Sequence, residues 1–583
     1  MDSAAELNAC VAGVCVGVRP PGVDELVPSR DNIGLIGLAS PPSISAVRLS
    51  AISDSLRITY DQKNYCPKRE GVIVLCCRFL LPYVAVPSCW LISSSYNNHA
   101  TLSASLPSPT LVLAVLGSIN QSTSMRRIVA LFLLIAASNA IPIPIPIRIR
   151  LYKDEGGKCN YERHLIPRPH SVSILEFGAV GDGKTVNTVA FQNAIFYLKS
   201  FADKGGAQLY VPSGQWLTGS FSLTSHLTLF LEKEAIILGS QDVDHWKVIE
   251  ALPSYGRGID LPGQRYSSLI NGDNLNDVVI TGDNGVIDGQ GSVWWESFDS
   301  HTLNYSRPNI VEFINCKDVV VSNITFLNPP SWTFHPVYCS NVLVQNITAI
   351  SPPESPYTSG LVPDSCDGVC IENSNISMGH DAICLKSGWD EYGIAFGRAT
   401  TNVHIKGVRL ESFSGSGLGF GSEMSGGISD VIVENVELHD SLTGIGFFTS
   451  KGRGGYIKDV VISHVSFHNV VLAIEVTGED NIHADDEYDP DAFPVIQHIT
   501  FNNMTGLNIT SPGRLFGIRE SPFTSICLSN VSLVLTTSSS SWLCSNVLGF
   551  SENVSPMPCF QLQTFPWNSS ACFPASTSRI ASL

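Results

Sequence analysis

The chain has 583 residues, 44% apolar and 15% charged, with a formal charge of −17. So small a charged fraction excludes a long coiled coil and a solvated disordered chain, and no apolar run reaches the roughly 20 residues that cross a bilayer. The negative balance repels phosphate backbones and no basic stripe offsets it, so neither a nucleic-acid partner nor a membrane span is expected.

Residues 1–124 show no sustained period of 2 or 3.6, hold six irregularly spaced cysteines and balance eight basic against eight acidic residues. Met125-Arg126-Arg127, the apolar run Ile128–Ala137 and the small residues Ser138-Asn139-Ala140 then follow the order of a secretory signal peptide. Because such a segment works at a free N-terminus, the expectation is a product beginning at Met125. Residues 1–124 then form an extension outside it, 125–140 the leader and 141–164 a linker. Export is also read from the nine Asn-x-Ser/Thr triplets that follow Ala140, at Asn304, Asn323, Asn346, Asn375, Asn503, Asn508, Asn530, Asn553 and Asn568. Asn-rich turns produce such triplets by chance, so each alone is weak. Cys527, Cys544, Cys559 and Cys572 cluster in a Ser-rich stretch and suggest disulfide staples of unassigned pairing. Cys366 and Cys370 lack a second ligand pair at zinc spacing, so structural cysteines are expected and no metal.

From about residue 270 one phrase repeats, a polar turn residue followed by Val/Ile-rich alternation: Asp277–Ile280, Asp318–Val321, Asn341–Val344, Gly368–Ile371, Asn402–Ile405, Asp430–Val433 and Asp459–Ile462. A second phrase interleaves with it, at Ala382–Ser387, Gly417–Ser422, Ile445–Ser450 and Ala473–Thr477. Each repeat therefore offers at least two short strands with Gly, Asn, Asp or Ser at the corners and no room for a βα unit. Uneven repeats of this length predict an all-β solenoid, a right-handed parallel β-helix over 165–560 with a tail over 561–583. A β-propeller, whose blades need even spacing, fits less well. The open end of such a stack needs a cap, and Val189–Leu198, apolar at helical spacing, predicts an N-terminal cap helix.

Gly178-Ala-Val-Gly-Asp-Gly-Lys-Thr185 satisfies the phosphate-loop pattern. That loop works at the edge of a parallel α/β sheet, which the rest of the chain does not offer. The reading here is a Gly-rich turn into the cap helix.

With its flanks, Phe177–Thr188 resembles the opening of the polygalacturonases of glycoside hydrolase family 28, which are pectin-lyase-like β-helices. Lys386-Ser-Gly-Trp-Asp-Glu-Tyr-Gly393, Gly421-Ser-Glu-Met-Ser-Gly-Gly427 and Lys451-Gly-Arg-Gly-Gly-Tyr456 resemble its plant-type branch, in order and at suitable spacing. The resemblance covers about 165–560. It implies inverting hydrolysis of α-1,4-linked galacturonic acid, a pectic polysaccharide partner, a secreted cell-wall location and a monomer, without any cofactor. Such chemistry needs one carboxylic acid for the leaving oxygen and carboxylates that activate water on the opposite face.

The family's catalytic triplets are altered in this chain. Tyr357-Thr358-Ser359 stands where the resemblance implies Asn-Thr-Asp, and Gly379-His380-Asp381 where it implies Gly-Asp-Asp. Gly415-Ser416-Gly417 replaces Gly-His-Gly, and Gly446-Phe447-Phe448 replaces the Arg-Ile-Lys whose cations would grip the substrate carboxylate. Asp381 with His380 is the candidate catalytic pair, since an imidazole near its usual pKa of about 6.5 can donate a proton at acidic pH. The competing reading is a carboxylate that holds the Gly379 corner beside a groove-lining imidazole. Tyr357, Ser359 and Ser416 are candidate substrate-binding residues. Strand alternation points Phe448 into the groove, as a stacking platform or as a plain exposed ring. Lys451 and Arg453 are read either as rim cations replacing the lost ones or as a solvated turn pair. Asp390, Glu391 and Glu423 are further carboxylates near the groove. Two functions stay open: a pectin-directed hydrolase of reduced or lost activity, and a non-catalytic wall-polysaccharide-binding protein.

Overall fold

The computed structural model describes residues 167–537 and 539–563, together with the backbone of short strands between Ala9 and Ala104. The leader, the linker and nearly all of the tail expected from sequence lie outside the described residues. The chain divides into two units, 1–148 and 149–583. In the first, Val72–Leu81 and Val84–Ser94 pair antiparallel, with Ile58–Thr59 and Ala100–Ala104 at the edges.

The second unit is the solenoid. Its coils stack in parallel register into a right-handed β-helix, with one sheet of eleven strands and one of nineteen. The first repeated phrase of the sequence falls on the larger sheet, where Val278, Val319, Val342, Val369, Val403, Val431 and Val460 stack coil on coil. The second falls on the smaller sheet, in Ile383–Leu385, Ser416–Phe420, Thr443–Phe448 and Leu472–Thr477. The apolar side chains of both sheets meet in one continuous buried core, in which the rings of Phe420 and Phe447 stack 4.2 Å apart.

The corners explain the polar residue that opens each phrase. Asp277, Asp318, Asn341, Asn402, Asp430 and Asp459 all have φ between 55° and 61°, the left-handed region that Asn and Asp enter more readily than other side-chain-bearing residues. Corner groups of successive coils bond to one another, as Asn341 Nδ2 does to Asp318 Oδ1 at 3.0 Å. The Asn-x-Ser/Thr triplets have the same origin. Asn323, Asn346, Asn503, Asn508, Asn530 and Asn553 occupy left-handed corners. The residue after each of them points toward the core, and the Ser or Thr that follows points outward. Corner geometry plus strand alternation thus generates the triplet without reference to glycosylation.

The repeats predict short strands, yet on the larger sheet from Thr400 onward they run longer, as in Thr400–Ser412, Ile428–His439, Tyr456–His468 and Val495–Ile509. Two short strands fuse because one left-handed residue, such as Gly407 (φ 62°) or Asn435 (φ 57°), bends the backbone while pairing resumes on both sides.

Helix α1, Thr188–Leu198, lies against the first coils and stacks Phe191 on Phe221, 4.5 Å apart. In the turn before it the backbone N–H groups of Lys184 and Thr185 donate to Asp182 at 2.9 and 2.7 Å. The donors that a phosphate would need are already used by a carboxylate. At the other end Cys544 and Cys559 form a disulfide. Cys366 is a buried core thiol whose sulfur accepts from the Cys339 N–H at 3.3 Å, while Cys339 in turn accepts from Cys316.

Candidate active site

The outer side of the eleven-stranded sheet forms a furrow across the coils, lined by residues that alternate with the core positions and, at the strand starts, by Asp381 and Ser416. The side chains of these two reach the same side: a Cβ at Gly419 would lie 3.7 Å from Asp381 Cγ and one at Gly446 2.6 Å from Ser416 Oγ. Its columns follow from register. Counting back from the Leu361–Ile383 and Ile383–Leu418 pairs puts Ser359, Asp381 and Ser416 in one column, continued by Thr443. A middle column runs through Glu312, His335 and Val362, then Cys384, Gly419, Gly446, Glu475 and Arg514. A third holds Asp364 and Lys386, and Phe448 stands farther along it beside Thr477. Neighbouring coils are about 4.8 Å apart, so the residues singled out from sequence at 359, 381, 416 and 448 share one surface.

Asp381 is nearly buried. Its Oδ1 accepts from the Ser416 N–H at 2.8 Å, and its Oδ2 stands 3.4 Å from His380 Nδ1. Burial alone would raise its pKa, but the His380 charge and hydrogen bond, the Lys386 ammonium and the Ser416 N–H together bring it down to about 2. For His380 burial acts downward, and the Asp381 carboxylate outweighs it and raises the imidazole above its usual value. The two groups therefore hold opposite charges in mildly acidic solution. The His380 ring leans on that of Tyr357, with centroids 5.2 Å apart, and Tyr357 is itself 58% exposed at the furrow edge.

Around this pair lies a charged cluster of which the sequence reading named only Glu423 as a carboxylate near the groove. Glu312 is held by Arg265 at 2.7 and 2.8 Å and by His335 at 2.9 Å. Burial would raise its pKa, but these cations lower it to about 2. His335 Nε2 stands 3.5 Å from Asp364, to which Tyr255 donates its hydroxyl. Lys386 pairs with Glu423 and donates to the Gly421 carbonyl at 3.2 Å. The Cys384 thiol donates to the same carbonyl at 3.0 Å, and burial pushes its pKa well up, so it is no nucleophile. The signal for Glu312 was present in sequence: it is the one charged residue inside the apolar alternation Val311–Ile314.

Phe448 folds back over Gly446. A Cβ at Gly446 would lie 2.3 Å from the Phe448 ring and 2.6 Å from Ser416 Oγ. Ring, glycine and hydroxyl thus form one patch of the furrow beside Asp381.

The structure separates Lys451 and Arg453 from that patch. Lys451 is half exposed and pairs with Glu520 at 2.9 Å. Arg453 is neither a rim cation nor a solvated turn residue: it is fully buried, bonded to Asp390 and to the carbonyls of Ser422 and Ile482, and stacked over Trp389. The reason is Asp390, a buried carboxylate at the start of α2 (Asp390–Phe396) that also binds His483 at 3.1 Å and the Ala484 N–H at 2.8 Å. This pair ties three loops together and leaves Asp390 unavailable as a substitute acid, as Lys386 does for Glu423.

A stack of parallel coils with a polar furrow along one sheet defines a β-helix of the solenoid class. Comparison with known sequences narrows this: the profile of the glycosyl hydrolases family 28 matches residues 207–556, and the chain belongs to that family. A probable polygalacturonase from Vitis vinifera is 49% identical over 414 residues, covering 70% of this chain and 84% of that protein. A polygalacturonase from Prunus persica is 26% identical, covering 68% and 94%. Among solved structures, an exopolygalacturonase from Thermotoga maritima superposes with a TM-score of 0.55 at 26% identity, covering 66% of this chain and 91% of its own. Among the described residues no helix is long and apolar enough to cross a membrane.

Proposed function

We propose that this chain is a polygalacturonase-like protein directed at pectin, exported to the cell wall as a monomer, which binds α-1,4-galacturonan along the furrow and hydrolyses it weakly or not at all. Family membership and the relatives' names support the substrate. The observation that carries the catalytic part is the 3.4 Å between His380 and Asp381. Inverting hydrolysis needs its acid and base about 6.5–9.5 Å apart, with a water and the sugar between them. An imidazole and a carboxylate in ion-pair contact leave no such room. The other carboxylates of these columns and their rim are committed as well: Glu312 to Arg265, Glu423 to Lys386, and Asp364 to Tyr255 and His335. The same observation favours the second reading, in which the groove binds wall polysaccharide without turnover.

Release of reducing ends from polygalacturonate by the purified protein tests this. The expected rate is at least about 100-fold below that of a relative with both carboxylates, the usual worth of a positioned proton donor. Combining Ser359→Asp and His380→Asp with Gly446→Arg and Phe448→Lys should recover part of the rate. Robust release by the unaltered protein, abolished by Asp381→Asn, would overturn the weak-turnover reading.

A further inference from the structure

We infer that the sugar position over Phe448, Gly446 and Ser416 takes an uncharged pyranose, either a methyl-esterified uronate or a neutral sugar, in preference to a free uronate. This rests on the pectin-directed reading above and specifies its substrate.

The charges of the furrow carry the first part of the argument. Each cation on or beside its columns is already bonded to a carboxylate among the described residues: Arg265 to Glu312, Lys386 to Glu423, Arg514 to Glu475, and His380 to Asp381. A free uronate would bring a further negative charge beside the ionised Asp381 with no counter-charge to receive it. An ester or a hydroxyl carries no such penalty, so the discrimination comes from repulsion of the charged form.

The patch itself carries the second part. Phe448 offers an apolar ring face to the face of a pyranose. Beside it the Ser416 hydroxyl is fully buried and has no hydrogen-bond partner. With no accessible surface of its own, Ser416 does not meet the ligand; together with Gly446 it is the uncharged floor on which the Phe448 ring rests, so this position presents an apolar ring and no charge. The absence of a side chain at Gly446 is needed for the ring to lie where it does, since a Cβ there would collide with it. Glycine, phenylalanine and serine thus form a single neutral device.

Calorimetric titration of the purified full chain tests this with three probes of equal length: a free-acid oligogalacturonide, its fully methyl-esterified form, and a neutral galacto-oligosaccharide. One or both uncharged probes should bind at least tenfold more tightly than the free acid, and whichever wins identifies the source of the neutral ring. Free-acid binding should also strengthen as salt rises, because like charges are being screened. Phe448→Lys should raise free-acid affinity at least tenfold. Phe448→Leu, which keeps the site apolar without the ring, should weaken the uncharged probe at least threefold and leave the free acid unimproved. Free acid bound as tightly as the uncharged probes by the unaltered protein overturns the inference and leaves the pectin-directed reading standing. Unchanged binding of the uncharged probe by Phe448→Leu also overturns it. Binding of none of the three overturns both.

Discussion

The two sheets of the solenoid obey opposite rules. On the larger sheet each coil repeats its predecessor: valine stacks on valine, and corner Asp or Asn on corner Asp or Asn. On the furrow face of the smaller sheet the residue type changes along the coils, so that one column reads Ser359, Asp381, Ser416, Thr443 and the next Glu312, His335, Val362, Cys384, Gly419, Gly446, Glu475. Repetition satisfies a structural demand that every coil shares, the burial of one apolar face and one left-handed corner. Departure from it places different chemistry at successive positions about 4.8 Å apart, which is what a polymeric ligand meets. The Arg453–Asp390 pair belongs to neither rule: it joins the loops that leave the coils.

The largest effect expected is on that pair. Arg453→Met should cost about 3–5 kcal/mol in urea unfolding, because Asp390 would remain buried without its cation. A loss below 1 kcal/mol would mean that the loops do not depend on it. The repetitive face should respond more mildly. Asn402→Ala places a Cβ-bearing residue that lacks the amide at φ 55° and removes the 2.6 Å bond to Asp367. Its cost should be about 1–2 kcal/mol, and Asn402→Gly should recover part of it. Equal losses for both variants would show that the ladder bond, not the backbone conformation, matters there.

The smallest effect lies on the variable face and depends on pH. The folded pKa of His380 is raised, so its contribution to stability is fully present below the unfolded value of about 6.5 and disappears as pH climbs through the folded value. Asp381 is depressed to about 2, so its contribution is present above the unfolded value of about 3.9 and is lost only as pH falls through the folded one. The ion pair is therefore strongest between about pH 4 and 6.5. His380→Gln should lower the urea midpoint at pH 5.5 and much less at pH 9. A difference that is the same at both would show that the imidazole acts by packing on Tyr357, not by charge.

Legibility in the sequence follows the same division. The repeating corners and Val/Ile phrases marked the solenoid, because a demand made once per coil leaves a period in the residues. Asp381, Ser416 and Phe448 could be placed together from strand alternation and the resemblance to family 28. The pairing of Glu312 with Arg265, that of Lys386 with Glu423, and the burial of Arg453 on Asp390 could not, since each is fixed by a partner 37 to 63 residues away in the chain. The fusion of strands beyond Thr400 was also hidden, because a left-handed bend and a true strand end use the same residue types.

What the sequence determined by itself was the coil and the residue types offered at each corner and strand, for both are local: alternation, corner propensity and residue identity act within a few positions. What the tertiary structure decided was which charges meet. Only stacking of distant coils sets Lys386 against Glu423, Arg514 against Glu475 and the Ser416 N–H against Asp381, and leaves the Ser416 hydroxyl buried beside Phe448. Electrostatic partnership depends on separations of a few ångströms, and no spacing along the chain encodes those.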